Sequence, residues 1–494
     1  MTAPEATTAA WQPPPGPVSG GWVDGEQVGG PTALAVVDPA TGRVLAQVAT
    51  PSEADVERAV AGAWAARGEF AGTSAHQRAQ ALRGLADRLL GRAEEMAATI
   101  TAESGKPITW SRSEVQRAAR TFQWAAEEAV RWSGELQRLD TDPASAGRMA
   151  VTRRFPRGPV LGITPFNFPL NLAAHKVAPA LAVGAPIVVK PAPRTPLSAL
   201  LLGELMADCE LPRGSWSVLT VPDHRAGALV ADPRLPVVSF TGSGPVGWRI
   251  KQEVPRKHVT LELGGNAAAL VCADWSGAEE LAWAARRVAL FANYQAGQSC
   301  IAVQRVFVDR SLYQRFLDEL VPAVSALQVG DPWDAGTDVG PLIDVASAER
   351  VAGWIADAVA AGAQVLTGGT RDGALLQPTV LVDVPADSAV SCQEVFGPVV
   401  VVEPVDDLDQ GLRRVDDSRF GLQAGVFTHD LQVAFRAHRE LQVGGVIIGD
   451  VPTYRAEQMP YGGVKESGVG REGVHSTMED YTEPRVLVLS GIAL

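Results

Sequence analysis

The sequence predicts an α/β fold of two Rossmann-type, doubly wound domains with a small β arm, and three observations carry that prediction. The 494-residue chain is too long for one hydrophobic core and divides into two or three domains. Hydrophobic residues make up 46% and charged residues 20%, the balance of a soluble globular protein. From Gly158 onward apolar runs alternate with helical segments in βαβ rhythm, which requires a parallel sheet with helices on both faces.

Taken in order, residues 1–20 are rich in Ala, Thr and Pro, lack a basic start followed by an apolar core, and read as a loosely draped arm rather than a signal peptide. Short strands are expected at 21–25, 33–37 and 44–49, interrupted by the turn Asp38-Pro39-Ala40-Thr41-Gly42. Ser52-Glu53-Ala54-Asp55 caps a helix whose apolar positions recur through Ala66. Long helices are expected over 75–104 and 111–136, and the polar, alternating stretch 136–155 reads as an exposed hairpin arm. Then come strand 158–164, helix 170–183, strand 187–190, helix 197–209, and strands near 216–221 and 236–241. The second half repeats the rhythm more loosely, with strand 267–272, helix 277–295, strand 304–309, helix 311–326 and strand 398–403. Arg485 to Leu494 form an apolar strand with no evident local partner, a pattern that suits completion of another subunit's sheet.

Composition excludes several classes of function. The net charge is −13 and no basic run occurs, which argues against nucleic-acid or anionic-membrane binding. No apolar run reaches the roughly 18 residues of a membrane helix. The four cysteines, Cys209, Cys272, Cys300 and Cys392, form no C-x-x-C pair and have no histidine at metal-ligand spacing. Neither a metal site nor a disulfide framework is expected, and a reducing cytoplasm fits.

The residues that suggest chemistry lie in three places. Cys300 follows the small, flexible Gly297-Gln298-Ser299 approach and can present a thiolate. Glu262 stands on Leu263-Gly264-Gly265, a free carboxylate on backbone that permits close approach. Asn167, in Thr164-Pro165-Phe166-Asn167-Phe168-Pro169, supplies the preorganised amide that a tetrahedral oxyanion needs. Nucleophile, base and oxyanion donor together suit a covalent thioester mechanism. Gly242, Gly244 and Gly247 also satisfy G-x-G-x-x-G after an apparent strand, and Glu262 follows about 20 residues on, as the ribose-binding acid of that fingerprint would. We assign the glycines to a cofactor and Glu262 to chemistry, because Glu262 precedes Gly-Gly instead of standing at a bare strand end and a thiol follows downstream.

Asn167, Gly242-Ser243, Glu262-Leu-Gly-Gly265, Gly297-Gln-Ser-Cys300 and Glu394-Val-Phe-Gly-Pro398 stand in this order along the chain. Together they resemble the NAD(P)-dependent aldehyde dehydrogenase superfamily. The likeness runs from about Gly21 to Leu487 and includes Met459-Pro-Tyr-Gly-Gly-Val-Lys-Glu-Ser-Gly468 and Gly470-Arg-Glu-Gly473. It implies the aldehyde dehydrogenase-like fold. Residues 1–135 with 156–263 would form the cofactor-binding domain, 264–470 the thiol-bearing catalytic domain, and 136–155 with 471–494 the oligomerisation arm and C-terminal strand. It further implies Cys300 as nucleophile, Glu262 as general base, and Asn167 with the Cys300 backbone N–H as oxyanion donors. Lys190 would hold the adenosine ribose, Gly242 and Ser243 would meet the pyrophosphate and nicotinamide, Glu394 would bind the nicotinamide ribose, and Phe396 would pack beside it. Thr164 and Phe166 join this cofactor-binding set.

Retention of Glu262 implies a hydrolytic, non-acylating enzyme of the lactaldehyde and semialdehyde-like subgroup. The cofactor is NAD or NADP, with NAD favoured. Pro193 stands where NAD-preferring relatives have a glutamate, and neighbouring Arg194 is either a 2′-phosphate ligand or an exposed surface residue. Phe168, Leu172, His175, Ser299, Ile301, Arg455 and Tyr461 would line the substrate tunnel, with His175 a hydrogen-bonded wall residue. Arg455 either binds an anionic small aldehyde, such as a semialdehyde, or forms a salt bridge with Glu457 or Asp450. Ser299, where enzymes of phosphorylated aldehydes carry arginine, disfavours a phosphate-bearing substrate. Gly449 is either a smaller wall of the site or a looser turn. Cys209, Cys272 and Cys392 read as packing thiols. A homodimer or homotetramer is expected, and a catalytically silent relative is the remote alternative.

Overall fold

The computed structural model describes residues 18–491. Local sequence signals account for much of the first hundred residues. The Ser52 hydroxyl accepts the Asp55 N–H while the Asp55 carboxylate accepts the Ser52 N–H, a capping box that starts the helix Glu53–Gly72. Ser74 and Gln77 repeat the device at Ala75–Gly91. The helix expected over 75–104 is broken at Arg92, whose ψ of 29° leaves the helical region, and resumes as Ala93–Ser104. Gly105, at φ 69°, closes it in the left-handed conformation. The helix expected over 111–136 instead spans Ile108–Arg131, starting directly after Pro107. Its expected last turn is the strand Glu135–Arg138.

The first large sheet has eight strands in the spatial order 26–28, 21–23, 216–219, 187–190, 160–163, 237–241, 258–262 and 468–469. Its five central strands are mutually parallel, and Gly21–Val23 and Gly468–Val469 add antiparallel edges. The chain enters at Val160–Ile163, steps outward to one side, then returns to build the other. The order therefore reverses between 160–163 and 237–241, where open α/β sheets leave a crevice at the carboxyl ends of their strands. The second sheet has seven strands in the order 364–367, 379–382, 399–405, 305–309, 268–271, 423–427 and 445–448. All its pairings are parallel except that of Gln364–Thr367. The strands at 379–382, 423–427 and 445–448 and the helix Val345–Ala360 lie outside the elements that the sequence predicts. Gly468–Val469, grouped by sequence with 264–470, pairs with Leu261 and Glu262 of the first sheet.

The C-terminal strand corrects another expectation. Thr482–Ser490 pairs antiparallel with the chain's own Arg148–Pro156 along its whole length, and Glu135–Arg138 flanks the other side. Its partner lies more than three hundred residues upstream, which is why no local partner could be read. The resulting three-stranded sheet leaves Leu136, Val486, Leu487 and Val488 exposed.

The helix Asn171–Val183 is buried on every side, so nothing polar in solvent can satisfy its first turn. Glu114 does so from the neighbouring helix: its Oε1 accepts the Leu170 and Asn171 N–H groups at 3.0 Å each, while Lys106 pairs with its other oxygen. Glu103 caps the helix Leu197–Ala207 in the same way, accepting from Leu197 at 2.6 Å and Ser198 at 3.0 Å. Replacing Glu103 with Ala strands two buried donors. At ~1–3 kcal/mol for each unsatisfied group, Glu103→Ala lowers the unfolding free energy by about 2–6 kcal/mol, read as a lower urea midpoint.

Candidate active site

A cavity of about 750 Å³ opens at the crevice of the first sheet and runs on to the thiol of Cys300. At one end Asn167, Glu262 and Cys300 face it together. Further along it passes Thr164, Phe166, Gly242, Ser243, Glu394 and Phe396. Its far end holds Lys190, Asp223, Arg249 and Glu253.

The approach to Cys300 is held under backbone strain. Gln295 and Ala296 both sit at φ 53° and Gly297 at φ 70°, three left-handed residues in succession after the helix Ala278–Asn293. A Cβ at Gly297 would collide with the Gly397 carbonyl, so only glycine fits. Gln298 ties the strained segment down. Its Oε1 accepts the Ile343 N–H at 2.9 Å, and its carbonyl accepts the Asn167 Nδ2–H at 2.8 Å. On the opposite side Gly265 passes directly under Cys300, where a Cβ would collide with the Cys300 carbonyl, and a Cβ at Gly264 would collide with the Glu394 carboxylate. The Gly-Gly pair is thus a packing requirement between the two sheets.

Glu262 is the last residue of the strand His258–Glu262, which corrects the premise that it does not stand at a strand end. Its placement among the chemical groups rests on the structure instead. Both carboxylate oxygens are buried without a hydrogen-bond partner, and the residue faces the same cavity as Cys300. Burial pushes this carboxyl well above the usual carboxylate range and the nearby Glu472 adds to the effect, against the cations of Arg455, Lys176 and Arg471. Burial also pushes the Cys300 thiol up to about 12, opposed by the Tyr461 hydroxyl 2.9 Å from Sγ. Glu394 is pushed up to about 7 by burial, although it accepts the Gly265 N–H at 3.0 Å and faces Arg350.

The residues along the cavity fit a dinucleotide. Ser243 is the N-cap of the helix Gly244–Glu253 yet makes no side-chain cap hydrogen bond, and a Cβ at Gly244 would meet nothing within 4 Å. Unspent N–H groups at an open helix N-terminus are a ready anion site for a pyrophosphate. Phe396, at φ 49°, packs edge-on to Phe166 with 5.8 Å between ring centroids. The buried Thr164 hydroxyl has no partner. Lys190 ends the strand Ile187–Lys190 and pairs with Asp223. Pro193 lines the cavity, whereas Arg194 pairs with Asp344 at 2.7 Å outside its lining; the surface alternative holds for Arg194.

Beyond Cys300, Phe168, Leu172 and Tyr294 form one buried apolar cluster, and Ile301, Leu422 and Tyr461 form another against the thiol. Ser299 is buried between the strained segment and Cys300. Arg455 lies over the Tyr461 ring at 3.9 Å from its centroid. Its carboxylate partner is neither Glu457 nor Asp450 but Glu472, at 2.8 Å, and its Nε is buried without a partner. Asp450 is held by Arg287 at 2.7 Å. Glu457 receives Arg117 and His175, each at 2.6 Å. His175 is fully buried, and burial lowers its pKa. Gly449 adopts φ 74°, so the turn itself requires the left-handed region. Arg117, Lys176 and Glu472 were not singled out in the sequence. They come from three separate segments of the chain, and only folding brings them beside Arg455 and Glu262. Among the described residues no cluster of His, Cys, Asp and Glu could hold a metal ion.

The aldehyde dehydrogenase family profile matches residues 22–487, and the chain belongs to that family. It is 43% identical over 471 residues to the 3-sulfolactaldehyde dehydrogenase of Priestia megaterium, covering 95% of this chain and 97% of that protein. Among solved structures it is similar to aldehyde dehydrogenase 21 from Physcomitrella patens in complex with its reaction product succinate, at TM-score 0.94 and 42% identity, over 97% of this chain and 99% of that one. It is also similar to the NADP-dependent glyceraldehyde-3-phosphate dehydrogenase of Bacillus halodurans complexed with NADP, at TM-score 0.91 and 35% identity, over 96% and 99% of the two chains. The protein is an NAD(P)-dependent oxidoreductase of aldehydes, in the lactaldehyde and semialdehyde-like subgroup.

The fit of Gly265 beneath Cys300 is testable. Gly265→Ala must displace the thiol, and a misplacement of about 1 Å costs roughly 10²-fold in rate. We expect kcat to fall by at least that factor with little change in the far-ultraviolet circular dichroism spectrum.

Proposed function

We propose that the protein oxidises a small anionic aldehyde to its carboxylic acid with a nicotinamide dinucleotide, through a thiohemiacetal and thioester on Cys300. The carrying observation is that the Cys300 thiol and the unpartnered Glu262 carboxyl face one dinucleotide-sized cavity, with a cationic cluster behind them. The Cys300 thiolate adds to the aldehyde carbon, and the Asn167 amide, held against the Gln298 carbonyl, is positioned to donate its other N–H to the alkoxide. Such a donor lowers the barrier by ~2.7–4 kcal/mol. The bound nicotinamide ring supplies the hydride acceptor. Glu262 then takes a proton from the water that opens the thioester, its basicity raised by burial.

The anionic substrate follows from charge. Arg455 pairs with Glu472, yet its buried Nε keeps no partner, and the guanidinium lies over Tyr461, whose hydroxyl reaches the Cys300 sulfur. A carboxylate or sulfonate on the substrate would supply that missing acceptor and meet the positive charge. Relatives that act on 3-sulfolactaldehyde or release succinate support the same reading. Lys190 would hold the adenosine ribose and Glu394 the nicotinamide ribose. The exposed apolar arm supports assembly into a homodimer or homotetramer, and four free cysteines fit the cytoplasm.

Three outcomes are expected. In rapid-mixing absorbance at 340 nm, Glu262→Gln gives a burst of reduced cofactor followed by turnover slowed roughly 10²–10⁴-fold, because thioester formation survives and hydrolysis does not. For the wild type, kcat/KM rises with pH across the neutral to alkaline range. Cys300 and Glu262 act in their deprotonated forms, and burial raises both pKa values, so proton loss as pH rises populates the acting species. Arg117→Met and Arg455→Ala raise KM for carboxylated or sulfonated aldehydes by about tenfold or more, roughly the loss of one charge-assisted contact, and leave neutral aldehydes near wild type. An equal effect on both classes would remove the arginines from substrate recognition.

A further inference from the structure

The far end of the cavity carries information about which dinucleotide the protein accepts, and it rests on the reading of that cavity as the cofactor site. A dinucleotide whose nicotinamide lies at Cys300 and whose pyrophosphate lies on the N-terminus of Gly244–Glu253 must place its adenosine half at the opposite end. The charged side chains there are Lys190, Asp223, Arg249 and Glu253, with His224 beside them. Lys190 is almost wholly buried at the end of its strand, and its ammonium is bound by the Asp223 carboxylate. Asp223 opens the helix Asp223–Ala231, and its side chain is 79% exposed, so its charge projects into the crevice rather than the core. Arg249 stands 3.8 Å from Glu253. These four charges sum to zero, and each cation already has a carboxylate beside it.

We infer that Asp223 selects NAD over NADP. A ribose diol can donate its 2′-hydroxyl to the Asp223 carboxylate while Lys190 donates to the 3′-oxygen, so both members of the ion pair keep a partner. A 2′-phosphate brings nearly two negative charges against the same carboxylate. It gains Lys190 only by separating the Lys190–Asp223 pair, which leaves Asp223 facing an anion. The selection is independent of the position three residues after Lys190, occupied here by Pro193, because the acid comes from the helix Asp223–Ala231, which follows the adjacent strand Trp216–Leu219. Asp223 is thus a specificity-determining residue at the adenosine end.

Calorimetric titration of the full chain with NAD⁺ and NADP⁺ tests this without any aldehyde. The wild type is expected to bind NAD⁺ at least tenfold tighter than NADP⁺. Asp223→Asn keeps the shape and a hydrogen-bonding group but removes the charge, and it is expected to tighten NADP⁺ at least tenfold while NAD⁺ changes less than threefold. The side chain is exposed, so the fold survives, as circular dichroism would verify. Equal or preferential NADP⁺ binding by the wild type, or an unchanged ratio in Asp223→Asn, overturns the role of Asp223 while leaving the cofactor site standing. Failure of both dinucleotides to bind overturns the cofactor reading and this inference with it.

Discussion

Much of the site depends on one close approach, that of Gly264-Gly265 to the Cys300 and Glu394 segments. The two large sheets are joined by a short crossing between Glu262 and Ala268, and along it no side chain can be tolerated at two successive positions. One side is filled by the carbonyl of Cys300, the other by the Glu394 carboxylate. This contact sets Glu262, Cys300 and Glu394 in one frame, although they stem from different parts of the chain. Second interactions lock it: Ser467 Oγ donates to the Gly264 carbonyl at 2.7 Å, and Asn266 Nδ2 donates to the Ser391 carbonyl at 2.7 Å. Interiors as densely packed as this transmit small displacements, so groups far apart in sequence share one geometry.

Around that frame lies a buried network of charges that is costly to assemble. Lys176, fully buried, reaches Ser239, Thr241 and Glu472 with its three donors. Arg455 joins Glu472 to the Tyr461 ring, and Tyr461 reaches the Cys300 sulfur. Separating charges from water is repaid only where each finds a partner. Here most do, and the exceptions include both oxygens of Glu262, which face the cavity, and Nε of Arg455. An unpartnered buried carboxyl is a poor structural element and a serviceable base.

The sequence and the structure agree most closely where the signal is local. Ser52 and Asp55 announce a capped helix, and the strands at 187–190, 237–241 and 305–309 fall within about two residues of expectation because apolar runs bounded by turn residues are short-range features. The break at Arg92 follows Gly91, a lone glycine inside a pattern that continues as helix on both sides, so the local signal for a stop is weak. The strands at 423–427 and 445–448 were missed because each is a short apolar segment whose identity as a strand comes from its neighbours in the sheet.

By itself the sequence determined the α/β class and the family resemblance, and it put forward Cys300, Glu262 and Asn167 as candidate chemical groups, since a thiol, a carboxyl and an amide are legible from residue type alone. The tertiary structure decided what those groups face. Pairing of the C-terminal strand with Arg148–Pro156, of Arg455 with Glu472, and of Lys190 with Asp223 joins segments tens to hundreds of residues apart. No periodicity or spacing encodes such contacts. They arise because burial forces each charge to find a partner and each sheet edge to find a neighbour, and the choice among partners belongs to the whole fold.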